Sequence, residues 1–152
     1  MKNKAICLIA VFIILSGAVP ARPADGFPER YQIGYALYES GQYAAAITHF
    51  REMLKDSKPN SLSDNCQYWI GESFFLMGDY AQALMELERT LTYSDNNKGE
   101  DAQYKIAQCH EMLGEIQAAR EMYTRFIVEF PTSNHVPRVI EKLDMLNKIV
   151  EK

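Results

Sequence analysis

From Tyr31 onward, apolar residues recur three and four positions apart, stop at a glycine, and begin again. The first run carries Ile33, Leu37 and Tyr38 and stops at Gly41. The second carries Ile70, Phe74 and Met77 and stops at Gly78. The third carries Ile106, Cys109, His110 and Leu113 and stops at Gly114. That spacing predicts amphipathic helices, and a glycine just past each run supplies the left-handed conformation that closes a helix without steric penalty. A second run follows each glycine at once, starting with Tyr43-Ala44-Ala45-Ala46, Tyr80-Ala81-Gln82-Ala83 and Ile116-Gln117-Ala118-Ala119. No segment alternates apolar and polar residues for long, so strands are not expected.

The runs are copies of one unit. Gly78 and Gly114 are 36 residues apart, and Gly41 lies 37 before Gly78. In the same register Tyr31, Tyr68 and Tyr104 coincide, as do Gly34, Gly71 and Ala107; Ala46, Ala83 and Ala119; and Phe50, Leu87 and Tyr123. A partial fourth copy starts at Val136, with Leu143 at the position of Ile70 and Ile106. A fixed period in this range marks a stack of helix pairs in which each unit buries its apolar face against its neighbours. Glycine inside a helix costs about 1 kcal/mol relative to alanine. Gly34 and Gly71 are therefore expected where a second helix crosses too closely for a side chain, with Ala46, Ala83 and Ala119 as the small residues opposite. The predicted fold is all-α: a right-handed α-solenoid of three helix pairs, closed by a capping helix from about Val136 to Val150 whose Glu141, Lys142, Lys148 and Glu151 face water.

These positions resemble the tetratricopeptide repeat. The second copy matches its signature at Ile70, Gly71, Phe74, Ala83 and Leu87, and the third at Ile106, Ala107, Ala119, Tyr123 and Pro131. Gln67 and Gln103 stand where that repeat has tryptophan. A narrower resemblance lies in SDNCQYWIGESFFLMGDYAQAL and FPTSNHVPRVIEKLDML, which are similar to the C-terminal repeat domain of the periplasmic cell-division coordinator family, CpoB or YbgF. That resemblance implies a periplasmic protein binding a TolA-like component of the Tol-Pal system. Members carry a trimerising coiled coil before the repeats. Only Arg22 to Arg30 would fill that place here, so trimerisation by that route is not expected. Related repeats occur in outer-membrane assembly lipoproteins of the BamD type, which leaves an outer-membrane or secretion-machinery assembly factor as the rival.

The first residues change the setting. Lys2 and Lys4 precede an unbroken apolar run from Ala5 to Leu15, and Val19-Pro20-Ala21 offers small residues before a cleavage site. This is the layout of a secretory signal peptide over residues 1–21. The run is shorter than the roughly 20 residues a spanning helix needs, which favours cleavage over a retained anchor and stable membrane insertion. Cys7 lies inside the apolar run, so it does not mark a lipidation site. Residues 22–30 form a short lead and 31–152 the repeat domain. Cleavage leaves about 130 residues, one domain with enough chain for a core. It also removes two of the lysines from a chain whose formal charge is −4, and an acidic domain does not suit nucleic acid.

The concave face of such a stack is lined by the first helix of each pair. The register assigns it Tyr31, Tyr35 and Tyr38, then Tyr68, Glu72 and Phe75, then Tyr104, Gln108 and Glu111: an aromatic strip edged with acid. Tyrosine combines a large apolar ring with a hydroxyl, which suits recognition of a protein or peptide segment. Tyr31, Tyr68 and Tyr104 equally suit packing between repeats, whereas Tyr35, Glu72 and Phe75 are expected to be exposed. Some proteins with this repeat grip a terminal carboxylate with lysine and asparagine, and tyrosine and glutamate at those positions here do not favour that mode.

A second rival, an envelope enzyme or hydrolase accessory with activity of its own, finds little support in the residues. His49, His110 and His135 lack metal-ligand spacing, no phosphate loop or nucleophile elbow is present, and no base is legible beside Cys109. His110 is expected to be packed. Neither metal nor cofactor is expected. Cys66 and Cys109 sit seven residues apart in height on adjacent helices, roughly 10 Å of rise, so free buried thiols rather than a disulfide are expected.

Overall fold

The computed structural model describes residues 26–56 and 60–150. Within them lie seven helices and no strand: α1 (Phe27–Glu39), α2 (Tyr43–Asp56), α3 (Ser63–Leu76), α4 (Tyr80–Thr90), α5 (Gly99–Met112), α6 (Ile116–Glu129) and α7 (Val136–Val150). Each helix packs on the next, and the first helices also touch along the stack, α1 with α3 and α3 with α5. The architecture is the predicted one of three pairs and a final helix. The signal-peptide segment 1–21, residues 22–25 of the lead and Glu151 lie outside the described residues.

The hairpins close as the glycines require. Gly41, Gly78 and Gly114 have φ of 76°, 82° and 76°. At each of the three turns two hydrogen bonds cap the preceding helix: Gln42 N–H to Leu37 O with Gly41 N–H to Tyr38 O, and their counterparts at Asp79 and Glu115. A left-handed residue held by this bond pair satisfies carbonyls that would otherwise end the helix unpaired.

Close helix crossing at the small positions is equally direct. Ala46, Ala83, Ala107 and Ala119 are fully buried, and Gly34 and Gly71 are buried too. A Cβ on Gly34 would lie 2.6 Å from Cε1 of Phe50, and one on Gly71 would lie 2.7 Å from Cγ of Leu87 and 3.2 Å from its backbone nitrogen. The residue filling each gap belongs to the second helix of the same pair, and Phe50, Leu87 and Tyr123 are all fully buried. The core runs along the stack from Phe50 and Met53, through Leu87 and Ile106, to Tyr123, Phe126 and Val139.

Several expectations need correction. Helix α1 begins at Phe27 rather than Tyr31, because Pro28 occupies its first turn, where a missing N–H and a fixed φ favour initiation. Ile33 is about half exposed although Ile70 and Ile106 at the same register position are buried. Those two insert between their own helix and the second helix of the preceding pair, and no described element lies before α1 to cover Ile33. Met77 and Leu113 also face outward, because they follow the last helical turn instead of the core stripe. On α7, Glu141 and Lys148 are exposed as expected, but Lys142 reaches inward and donates to Glu111 at 2.7 Å. Asp144 occupies the small position of the fourth copy, where Gly71 and Ala107 admit a crossing helix. Its exposed carboxylate leaves α7 as a cap.

Candidate functional site: the face of the first helices

Tyr31, Tyr35 and Tyr38 are spaced by four and three residues, so they share one side of α1. Their rings run in sequence, with centroids 6.4 and 6.0 Å apart and nearly parallel planes. Trp69 of α3 leans across onto this row, 5.0 Å from Tyr35 and 4.7 Å from Tyr38. Its indole N–H donates to the Tyr31 hydroxyl at 2.7 Å, which fixes the ring's orientation. Tyr43, opening α2, extends the cluster from Tyr38 at 5.9 Å. Burial, reinforced by the nearby charge of Glu72, holds the Tyr38 phenol above its ordinary range. It stays a neutral hydrogen-bonding group at any physiological pH.

Farther along the face, charge is balanced from within. Glu72 of α3 is 7% exposed, and a carboxylate in that position needs a partner. Lys105 of α5 supplies it at 3.0 Å, while lying 4.4 Å over the Phe75 ring. Lys98, just before α5, stands 5.1 Å over Tyr68 and 5.4 Å over Trp69 and pairs with Asp101 at 2.7 Å. On α5 the Tyr104 ring is capped by His135, stacked at 4.2 Å, and Gln108 donates to the Tyr104 hydroxyl at 3.3 Å. Glu111 accepts from Tyr123 at 2.8 Å and from Lys142. Trp69, Lys105 and Lys142 are 36 and 37 residues apart, and each reaches from its own helix to the preceding first helix. One repeat position therefore ties the floor of the face together.

Two tetratricopeptide repeat models match the sequence, over residues 31–99 and 101–133, about two thirds of the chain. The chain belongs to the tetratricopeptide repeat family. No curated protein sequence matches it significantly. Among solved structures it is similar to the Yersinia enterocolitica type III secretion chaperone SycD in complex with a peptide of the translocator YopD, with a TM-score of 0.72 and 18% identity over 85% of this chain and 97% of that one. PcrH from Pseudomonas aeruginosa aligns with a TM-score of 0.68 and 16% identity over 86% and 98% of the two chains. PcrH is also known in complex with the chaperone-binding region of PopB. The first repeat domain of Spaghetti (RPAP3), bound to an HSP90 peptide, gives 0.67 and 13% over 83% and 94%. At these identities the likeness establishes the tetratricopeptide helix-hairpin fold.

Within that fold, the predicted face residues divide into two groups. Tyr31, Tyr35, Tyr38 and Phe75 are half-buried with accessible rims, as are Gln108 and Glu111. Tyr68 and Tyr104 are buried at 8% and 6%, so these two pack between repeats. Glu72 was expected to be exposed and is not, since Lys105 and the tyrosines enclose it. The acid edge is consequently a set of neutral pairs. Trp69, Lys98, Lys105 and Lys142 belong to the face and were not anticipated. The signal lay in the register, because Trp69, Lys105 and Lys142 coincide when the copies are superposed. The tryptophan of the repeat signature is replaced by Gln67, whose amide donates to the Glu86 backbone oxygen at 3.0 Å and its carboxylate at 2.8 Å. A hydrogen-bonded clamp between α3 and α4 thus stands in for an aromatic one.

Other reactive groups are occupied by structure. Cys66 and Cys109 are buried free thiols, each pushed up to about 12 by burial, far from the thiolate form that nucleophilic chemistry uses. His49 bonds the Arg30 carbonyl, and His110 meets Glu115 at 2.6 Å. Among the described residues no cluster of three or more His, Cys, Asp or Glu could hold a metal ion, and no helix is long and apolar enough to cross a membrane.

Proposed function

We propose that this tetratricopeptide repeat protein is a non-catalytic scaffold that holds a segment of a partner protein against the face of its first helices. One observation carries the reading: Tyr31, Tyr35, Tyr38 and Trp69 form a half-exposed aromatic cluster on that face, with Phe75 farther along it, while Glu72, Asp101 and Glu111 are each paired with a lysine. Aromatic rings that are rigid, apolar and partly open contribute disproportionately to protein recognition. Peptide complexes of SycD, PcrH and RPAP3, which share the fold, support the same use here. The test is a Tyr35→Ala, Phe75→Ala double variant assayed against a partner recovered by crosslinking in intact cells. Loss of binding with helical content retained supports the scaffold, and full affinity refutes it.

The compartment belongs to the same proposal. The basic, apolar and small-residue order of residues 1–21 favours export to the periplasm, and the resemblance to the CpoB family favours a TolA-like partner in Tol-Pal-linked division. The likeness to translocator chaperones favours a second reading, a factor for secretion-machinery assembly. A pull-down from envelope extract separates them, recovering a Tol-Pal component in the first case and a secretion or outer-membrane assembly protein in the second.

A further inference from the structure

Resting on the reading that the first-helix face holds a partner segment, we propose that the α1 end of this face takes an extended, proline-bearing segment with a basic residue beside the prolines. Three observations converge on that chemistry. The first is the density of rings. Tyr31, Tyr35, Tyr38, Trp69 and Tyr43 form one continuous cluster with neighbouring centroids 4.7–6.4 Å apart. Farther along, Tyr68 and Tyr104 are buried and Phe75 lies under Lys105. Proline docks on such aromatic surfaces because its ring is apolar and its backbone is already restricted, so little conformational entropy is lost.

Spacing is the second. Tyr31 and Tyr38 lie seven residues apart on α1, about 10 Å along the helix axis. A polyproline II chain repeats its orientation every three residues, about 9 Å. Two prolines three apart would therefore meet the two ends of the tyrosine row with the same side of the segment. The row is also preorganised, since the Trp69 indole is locked by its bond to Tyr31.

The third is charge. On the rest of the face Glu72, Asp101 and Glu111 are each paired with a lysine. At the α1 end Glu39 is exposed, and no cation pairs with it among the described residues. It lies one helical turn beyond Tyr35, whose phenol its carboxylate holds above the usual range. An arginine or lysine on the incoming segment would complete the pattern that the protein's own lysines set elsewhere, and an acidic segment would be repelled.

Trp69 is the sole tryptophan, so its emission reports the site directly. The full chain is titrated with a synthetic peptide carrying two prolines three apart and flanking arginines, and with the same peptide bearing alanine for both prolines. Saturable change in emission is expected with the first peptide, with affinity lower by about tenfold or more for the second and for Tyr35→Ala. Tyr35→Phe, which keeps the ring, should retain binding. Glu39→Gln should weaken it severalfold at low salt and little at high salt. A random peptide library is selected in parallel on the immobilised chain. Enrichment of proline-free segments that compete at the first-helix face would overturn the proline assignment and leave the scaffold standing. Absence of any segment that depends on this face would sink both. An emission change with N-acetylglucosamine oligomers but not with the proline peptide would overturn the assignment in favour of a glycan.

Discussion

Gly71→Ala sets two known effects against each other at one atom. Alanine in place of a helical glycine ordinarily gains about 1 kcal/mol. Here the new Cβ would lie 2.7 Å from Cγ and 2.9 Å from Cδ2 of Leu87, and 3.2 Å from the Leu87 backbone nitrogen. A rotamer change in Leu87 cannot relieve the last contact, and the side chain is fully buried, so α4 itself must give way. Overpacking of this kind costs about 1–3 kcal/mol, and the clash should win, leaving a net loss of about 1 kcal/mol. Leu87→Ala alone should cost about 2–5 kcal/mol through its cavity. In that background the two side-chain atoms are gone and only the contact with the backbone nitrogen remains, so Gly71→Ala should cost much less than in the wild-type protein or become neutral. Urea unfolding followed by helical circular dichroism on the four proteins of the cycle measures the coupling, expected at about 1–2 kcal/mol. If Gly71→Ala stabilises the wild-type protein and its effect is unchanged by Leu87→Ala, close helix crossing is not what holds the two helices of a pair together.

Three further outcomes follow from particular contacts. Burial opposes the charge on Glu86, yet hydrogen bonds from Arg51 and Gln67 and the charge of Arg89 hold its carboxyl below the usual range. A lowered folded-state value means stability that is present above the unfolded value and lost as the pH falls through the folded one. Wild-type stability should therefore fall more steeply below about pH 4.5 than that of Glu86→Gln, which should be about 2 kcal/mol weaker at neutral pH; parallel acid-denaturation curves would contradict this. Cys66 and Cys109 should resist alkylation at pH 8 in the folded protein and both react in denaturant, and a bridged species by non-reducing mass spectrometry would contradict the free-thiol assignment. Tyr31→Phe leaves the Trp69 indole N–H without its acceptor and should cost about 1–2 kcal/mol by denaturation, with an altered tryptophan emission; unchanged stability and emission would show that the bond does not fix the ring.

Fold and face were legible in the sequence to different depths. Helix pairs, turns and small crossing positions follow from local rules repeated three times, so Gly41, Gly78 and Gly114, and Ala46, Ala83 and Ala119, all sit where the period demands. What escaped were contacts between copies. Glu72 reads as a solvent-facing acid until Lys105, 33 residues away, is brought over it. Trp69 reads as a neighbour of Tyr68 until α3 is laid beside α1. Ile33 shows the converse, because a repeat position alone does not say whether a neighbour is present to cover it. Superposing the copies already aligns Trp69, Lys105 and Lys142, but alignment does not reveal that all three reach back toward the preceding helix; only the stacking geometry does.

The most direct measurement is photo-crosslinking in living cells with a benzophenone amino acid placed at Tyr35 on α1 or, as the comparison, at exposed Glu88 on α4. The account predicts a discrete protein adduct from position 35 that is absent from position 88. Equal adducts from both positions, or adducts from position 88 alone, would contradict a partner held against the first helices.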